Sequence, residues 1–266
     1  MATDRPRRPL FEALREKRNV MAAVMLRDMR TRFFNHGLGF LVVSLWPLAH
    51  ILVLITIYPL MGRTAPFGES LSVFFATGLI PVLTFMYVSR FMCMSLILNR
   101  PMLAFPVVKV LDIMAARAFL EIIAAVLTLF FVFAILLLMG DDPFPRDPFQ
   151  AVYVYLSVLL LAIGVGSVAG VITMFFSFFA TIYALSMILA YFLSGTLFVI
   201  SALPEALAYP LSFNPLLHGV EWIRLAYYEG YSDHILDREY LIGFGAGALC
   251  AGLLLERMLR RIMLES

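Results

Sequence analysis

Few side chains in this 266-residue sequence are of types that do chemistry, and their spacing argues against most of it. The four histidines, His36, His50, His218 and His234, are scattered without metal-ligand spacing, and no His-Glu-x-x-His run occurs. Only two lysines are present, Lys17 and Lys109, and neither follows a glycine. The Gly-x-x-x-x-Gly-Lys-[Ser/Thr] loop that cradles nucleotide phosphates is therefore missing. No Gly-x-Ser-x-Gly elbow exists. Ser194-Gly195 with His218 is the one conceivable serine–histidine pair, and a serine before glycine is more often a turn or a packing residue. Cys93 and Cys250 lie in apolar runs and read as small buried hydrophobes, not as a disulfide. No catalytic residue, metal site or cofactor is expected in this chain. The ionisable groups that stand out are Arg90 and Glu121, both inside apolar runs. Such groups at membrane depth face a cavity or a partner. Either Arg90 pairs with Glu121, which also has Arg117 at i,i+4 spacing, or its guanidinium fork faces a cavity and meets carboxylates or phosphates.

The elements that must position these groups follow from composition. Hydrophobic residues make up 62% of the chain, where soluble domains run nearer half, so the bilayer is the solvent. A span needs about 20 apolar residues. Runs near 40–61, 71–98, 110–139, 151–176, 178–203 and 240–256 supply six. The stretch 151–202 is apolar without a break and must turn once, best at Thr173–Thr181. Nine basic residues precede residue 39, three lie at Arg100, Lys109 and Arg117, and three at Arg257, Arg260 and Arg261. The opposite loops hold only Arg63, Arg146, Arg224 and Arg238. Positive residues stay cytoplasmic during insertion, so both termini are expected in the cytoplasm. The same asymmetry accounts for the basic residues without nucleic acid. No cleavable signal peptide is expected.

Three stretches differ from simple spans. In 10–35, Val24, Met25, Met29 and Phe33 share a face opposite Arg27 and Arg30, which predicts an amphipathic interfacial helix. Asp28 and Arg32 sit within the apolar arc at i,i+4 spacing and can pair. Residues 141–148 hold three prolines and three aspartates and read as an external loop. The segment 201–239 is acidic and aromatic, yet Leu203–Leu217 is apolar and broken by Pro204, Pro210 and Pro215. Non-spanning helices dipping into the outer leaflet fit it, and irregular backbone at that depth lines protein or a water-filled cavity. Gly166-x-x-x-Gly170 and Gly243-x-x-x-Gly247 are helix-packing motifs by spacing.

The sequence resembles a family along nearly its whole length. Leu26-Arg-Asp-Met-Arg-Thr-Arg-Phe33 with Gly37-Leu-Gly39 and Trp46-Pro47 is similar to the amino-terminal signature of type-2 ABC exporter permeases. Asn99-Arg-Pro-Met-Leu-Ala-Phe-Pro106, Leu111-Asp112 and Ala116-Arg-Ala-Phe-Leu-Glu121 resemble their loop between spans two and three. Ser194-Gly195, Leu203-Pro204, Asn214-Pro-Leu-Leu-His218, Glu221-Trp222, Arg224 and Glu229-Gly-Tyr231 are similar to the capsular polysaccharide branch. O-antigen permeases carry a charged turn between spans four and five, where this chain has Phe175-Phe-Ser-Phe-Phe179. An O-antigen or teichoic-acid permease and a drug or lipid efflux permease are the alternatives.

The resemblance implies an all-α membrane protein with an interfacial helix in 1–38 and a six-span permease domain in 39–266. Short re-entrant periplasmic helices fall between spans five and six, about 204–239. It implies a homodimer in the bacterial inner membrane with two copies of a separate subunit that binds ATP and Mg²⁺. It further implies an acidic lipid-linked polysaccharide as cargo, with periplasmic and outer-membrane export partners. Arg90 and the aromatics Trp46, Tyr58, Tyr87, Trp222, Tyr227 and Tyr228 are the expected channel contacts, since aromatic planes stack on sugar C–H faces. Arg100, Pro101, Met102, Phe105 and Pro106 are expected to couple to the ATPase, with Met102–Phe105 as an apolar knob. Arg27, Asp28, Arg30 and Arg32 mark the interfacial helix.

Overall fold

The computed structural model describes residues 10–32 and 39–265. Among these the chain forms nine α-helices and no strand. They are α1 (Leu10–Arg32), α2 (Gly39–Leu60), α3 (Leu71–Leu98), α4 (Val110–Met139), α5 (Pro148–Phe175), α6 (Phe179–Phe192), α7 (Glu205–Leu211), α8 (Pro215–Tyr227) and α9 (Arg238–Glu265). Four of them, α3, α4, α5 and α9, are long and apolar enough to cross a membrane. Helix α6 is shorter; of α2, the apolar stretch Leu45–Leu60 is the part whose side chains are described.

Boundaries follow local chemistry. Ser70 caps α3 by accepting from the Val73 amide at 3.2 Å, and Asp147 caps α5 by accepting from Gln150 at 3.1 Å with Pro148 at the first helical position. Gly140 ends α4 in the left-handed conformation at φ 86°. The turn between α5 and α6 falls at Phe176–Phe178, inside the stretch expected from sequence.

The apolar run 178–203 differs from expectation. Its helix stops at Phe192, giving α6 only 14 residues, about 21 Å at helical rise against a hydrocarbon core of about 30 Å. The chain then unwinds, turning at Gly195 with φ 72°. The high mean hydropathy of the run concealed the end of the helix, because hydropathy reports burial and not backbone conformation; Ser194-Gly195 is the local turn signal within it.

Helices α3 and α5 form the centre of the bundle, with α4 and α9 outside them. Small residues bring the backbones together. A Cβ on Gly166 would sit 2.5 Å from the Met92 Cβ and 2.7 Å from the Ser89 carbonyl of α3. A Cβ on Gly164, on another face of α5, would sit 2.6 Å from the Gly245 carbonyl of α9. Gly166 and Gly170 thus pack as their spacing predicts. Gly243 and Gly247 do not: nothing lies near them, and Gly245 and Gly252 make the contact with α5 instead. The i,i+4 pattern identified the wrong face of α9 because apolar residues surround all four glycines. Of the two cysteines, Cys93 is buried as expected, whereas Cys250 is exposed on α9.

Gly245→Val should therefore lower the unfolding temperature of the detergent-purified protein, reflecting an overpacking cost of about 1–3 kcal/mol. Gly243→Val and Gly247→Val should leave it within error, since their side chains project into open space. Equal losses at all three positions would contradict this packing.

Candidate functional site

Two clusters of buried charge bracket the bundle, one at the α1 end and one at the opposite, hairpin end. Between them lies a gap in the packing of α3.

At the hairpin end the unwound segment after α6 leaves carbonyls without helical partners. Arg224 of α8, wholly buried, takes them: Nη1 donates to the Phe198 carbonyl at 2.8 Å and Nη2 to Thr196 at 3.0 Å. The guanidinium lies 4.3 Å from the centroid of the Phe74 ring and 3.6 Å from the Glu221 carboxylate one turn away. Tyr231 donates to Glu221 at 2.9 Å. Burial raises the Glu221 pKa above the usual carboxylate value, while Arg224 and Tyr231 pull it back. Gly78 makes room, since a Cβ there would lie 2.5 Å from the Thr196 carbonyl. Asn214 caps α8 through the Leu216 amide and donates to the Ser194 hydroxyl at 3.0 Å, fixing the hairpin to the unwound segment. His218 bridges two loops: Nδ1 accepts from the Asp237 amide at 3.1 Å, which leaves Nε2 protonated to donate to the Ser212 carbonyl at 2.7 Å. Burial depresses its pKa and favours this neutral tautomer. Ser194 donates to the Ala190 carbonyl, so Ser194 and His218 are each engaged elsewhere and form no catalytic pair.

At the α1 end, Arg117 of α4 lies between Asp28 of α1, at 3.2 Å, and Glu121 one turn along α4, all three buried. Asp28 is thus drawn across the fold to Arg117; the pairing with Arg32 expected from spacing involves a side chain outside the described residues, as are Phe33 and Gly37. Lys17 reaches Asp112 at 3.1 Å, and Arg27 donates to the Asn99 side chain at 3.0 Å. Three polar links therefore tie α1 to α4 and to the loop after α3. Arg30 is exposed. In that loop, a 3-10 turn over Arg100–Ala104, Phe105 projects with 58% of its surface exposed. Arg100, Pro101 and Pro106 are exposed too. Met102 does not join the knob. It is half-buried, facing a groove of about 490 Å³ that it shares with Val20 and Ala23 of α1.

Arg90 is exposed and makes no ion pair or hydrogen bond among the described residues, so the pairing with Glu121 weighed from sequence is replaced by Arg117–Glu121. In α3 only Arg90 and Leu98 are exposed. Its neighbours explain why. Ser89 contacts Met187 of α6 at 3.7 Å, while Tyr87 and Phe91 line a crevice with Pro47 and Ile51 of α2. Arg90 projects between these two sets of contacts, at the notch between α2 and α6.

The six aromatics divide sharply. Trp46 is 70% exposed on α2. Tyr58 packs on Phe75 at 4.5 Å, and Tyr87 is half-buried in the crevice. Trp222 is buried, donating to Gln150 at 2.7 Å beneath the Arg238 guanidinium, and Tyr227 donates to the Pro143 carbonyl at 2.9 Å. Tyr228 packs against Phe67 at 5.4 Å. In this conformation the last three hold the hairpin to its surroundings. Sequence reasoning did not single out Arg224, Gly78 or Arg117 as structural centres; an arginine amid the apolar run of α8 was the available signal.

An all-helical bundle with several membrane-length helices and a locked polar hairpin defines a polytopic membrane protein. No family model matches the chain. It is 31% identical to the polysialic acid transport protein KpsM of Escherichia coli over 245 residues, covering 92% of this chain and 95% of the relative. It is 27% identical to the capsule polysaccharide export inner-membrane protein CtrC of Neisseria meningitidis serogroup B, covering 82% of each. It is 24% identical to BexB of Haemophilus influenzae, which bears the same description, covering 85% of this chain and 83% of the relative. The chain belongs to the family of capsule polysaccharide export inner-membrane proteins, the permease subunits of ABC exporters.

Arg224→Met should strand two carbonyls and the Glu221 carboxylate, at a cost of about 3–5 kcal/mol. Thermal unfolding in detergent should show a large drop, partly recovered by adding Glu221→Gln. No drop would mean that Arg224 does not hold the hairpin.

Proposed function

We propose that this chain is the transmembrane subunit of an ATP-driven exporter that moves an acidic, lipid-linked capsular polysaccharide across the bacterial inner membrane. The observation that carries this reading is the match over nearly the full length to capsule exporters, one of them named for polysialic acid. Two copies of the chain surround the path, and two copies of a separate ATP-binding subunit hold ATP and Mg²⁺. Periplasmic and outer-membrane partners carry the glycan onward. Six spans, α2 to α6 and α9, put both termini and the basic loops in the cytoplasm, consistent with the charge asymmetry of the sequence. The hairpin of α7 and α8 fills the outer leaflet that short α6 leaves open, on the periplasmic side of the path.

Force enters at the loop between α3 and α4. Phe105 is the apolar projection that a groove on the ATP-binding subunit would grip. The links Arg27–Asn99, Lys17–Asp112 and Asp28–Arg117 make α1, the loop and the start of α4 move together. Arg90 is the contact on the path wall. An arginine in a span costs roughly 2.5–3.5 kcal/mol to insert, and a path for an anionic glycan supplies both its water and its partner. Trp46 offers an open ring for stacking; Tyr58 and Tyr87 complete the track where the wall opens during transport, and Trp222, Tyr227 and Tyr228 line its outer end behind the hairpin.

In the assembled complex, a cysteine at Phe105 should crosslink to the ATP-binding subunit. A residue that stays freely labelled by soluble thiol reagents, with no crosslink, overturns the coupling assignment. Arg90→Ala should leave the membrane level of the protein intact and lower surface polysaccharide about 10-fold or more, the loss of one charged hydrogen bond. Arg90→Met with Glu121→Gln should not restore export. Full export by that double variant removes Arg90 from the path.

A further inference from the structure

One ionisable side chain near Arg90 has no role so far. His50 is exposed on α2, and neither ring nitrogen has a hydrogen-bond partner among the described residues. The other exposed residues of α2 around it, Trp46, Ala49, Val53 and Ile57, carry no charge. An imidazole facing lipid would forfeit a donor and an acceptor, so its exposure argues for a water-filled cavity.

Its position is set by a contact across the notch. The His50 ring lies 5.7 Å from that of Tyr191 on α6. Counted at 1.5 Å per residue from the α1 end of each helix, His50 lies about 16 Å deep, Tyr191 about 18 Å and Arg90 about 12 Å. The first two depths agree with the observed ring contact, which supports the third. His50 and Tyr191 thus bridge α2 and α6 roughly one helical turn above the place where Arg90 emerges between them. Trp46, four residues before His50, is on the same face of α2 one turn below it.

We infer that Trp46, His50 and Arg90 form one subsite for a single acidic sugar residue of the transported glycan, with the Tyr191 ring backing the imidazole. The assignment rests on the path reading given above. Trp46 presents a plane to the C–H face of a sugar ring, Arg90 a two-pronged donor to its carboxylate, and His50 a donor or acceptor to a hydroxyl or carboxylate above. The imidazole suits this place because it bonds a passing hydroxyl in either direction, whereas a second arginine would hold the anion.

The test uses the assembled exporter in inner-membrane vesicles with Cys250→Ser removing the exposed native thiol; Cys93 is buried. Single cysteines replace His50, Arg90 and, as a lipid-facing control, Phe130, which is 65% exposed on α4. The probe is a membrane-impermeant cationic methanethiosulfonate. His50→Cys and Arg90→Cys should be modified and Phe130→Cys should not. Modification at both path positions should slow in vesicles whose ATP-binding subunit is catalytically dead and whose cells make the glycan. In cells, His50→Phe should lower surface polysaccharide about 10-fold at unchanged protein level, while His50→Gln, which keeps a donor and an acceptor, should retain most of it. Modification of Arg90→Cys without His50→Cys, or wild-type export by His50→Phe, overturns the role of His50 and leaves the path standing. Failure to modify either position overturns both.

Discussion

Arg224 is the interaction on which the hairpin end of this molecule depends. A chain that stops being helical at Phe192, in a stretch apolar enough to lie in a bilayer, exposes carbonyls that water cannot reach. The guanidinium answers with two donors aimed at Thr196 and Phe198 and with a charge balanced by Glu221 and the face of Phe74. With those groups satisfied, α6 can be short and the chain can pass through α7 and α8 to the long helix α9. The residues that most resemble capsule-branch permeases, Ser194-Gly195, Asn214, His218, Glu221, Arg224 and Tyr231, are the ones that make or brace this lock.

The other end uses buried charge differently. Arg117 is shared by two carboxylates from two elements, and Lys17 and Arg27 add links at the rim. Such pairs gain little net stability over apolar packing, but breaking one strands its partners. Their value is geometric: a helix outside the bundle could otherwise rotate and slide, and three polar links remove that freedom for α1 relative to α4. The loop carrying Phe105 is thereby attached to the helices that continue into the bundle.

The span boundaries of α3 and α4 were legible to the residue, because Gly140, Asn99 and the Pro101–Pro106 loop punctuate long apolar runs. The turn at Phe176–Phe178 was legible because a run of twice one span must fold back. The end of α6 was not, since the high mean hydropathy of the run 178–203 concealed it. Among the site residues, the exposure of Arg90 was anticipated as one of two readings, and geometry removed the other by giving Glu121 to Arg117. The aromatics were the least legible. Trp46 and Trp222 have the same side chain, yet one is open and the other is enclosed between Gln150 and Arg238.

By itself the sequence determined that this is an α-helical membrane protein and which family it resembles. Those properties are sums over local composition and spacing, and they survive whatever the helices pack against. Only the tertiary structure decided which arginine is wholly buried, which is shared by two carboxylates, and which has no ion pair among the described residues. Arg90, Arg117 and Arg224 all lie in or beside apolar runs, yet the two buried ones take partners 26 to 89 positions away in the chain, Thr196 and Phe198 for Arg224 and Asp28 for Arg117. The distance along the chain between partners is what keeps that information out of any local reading.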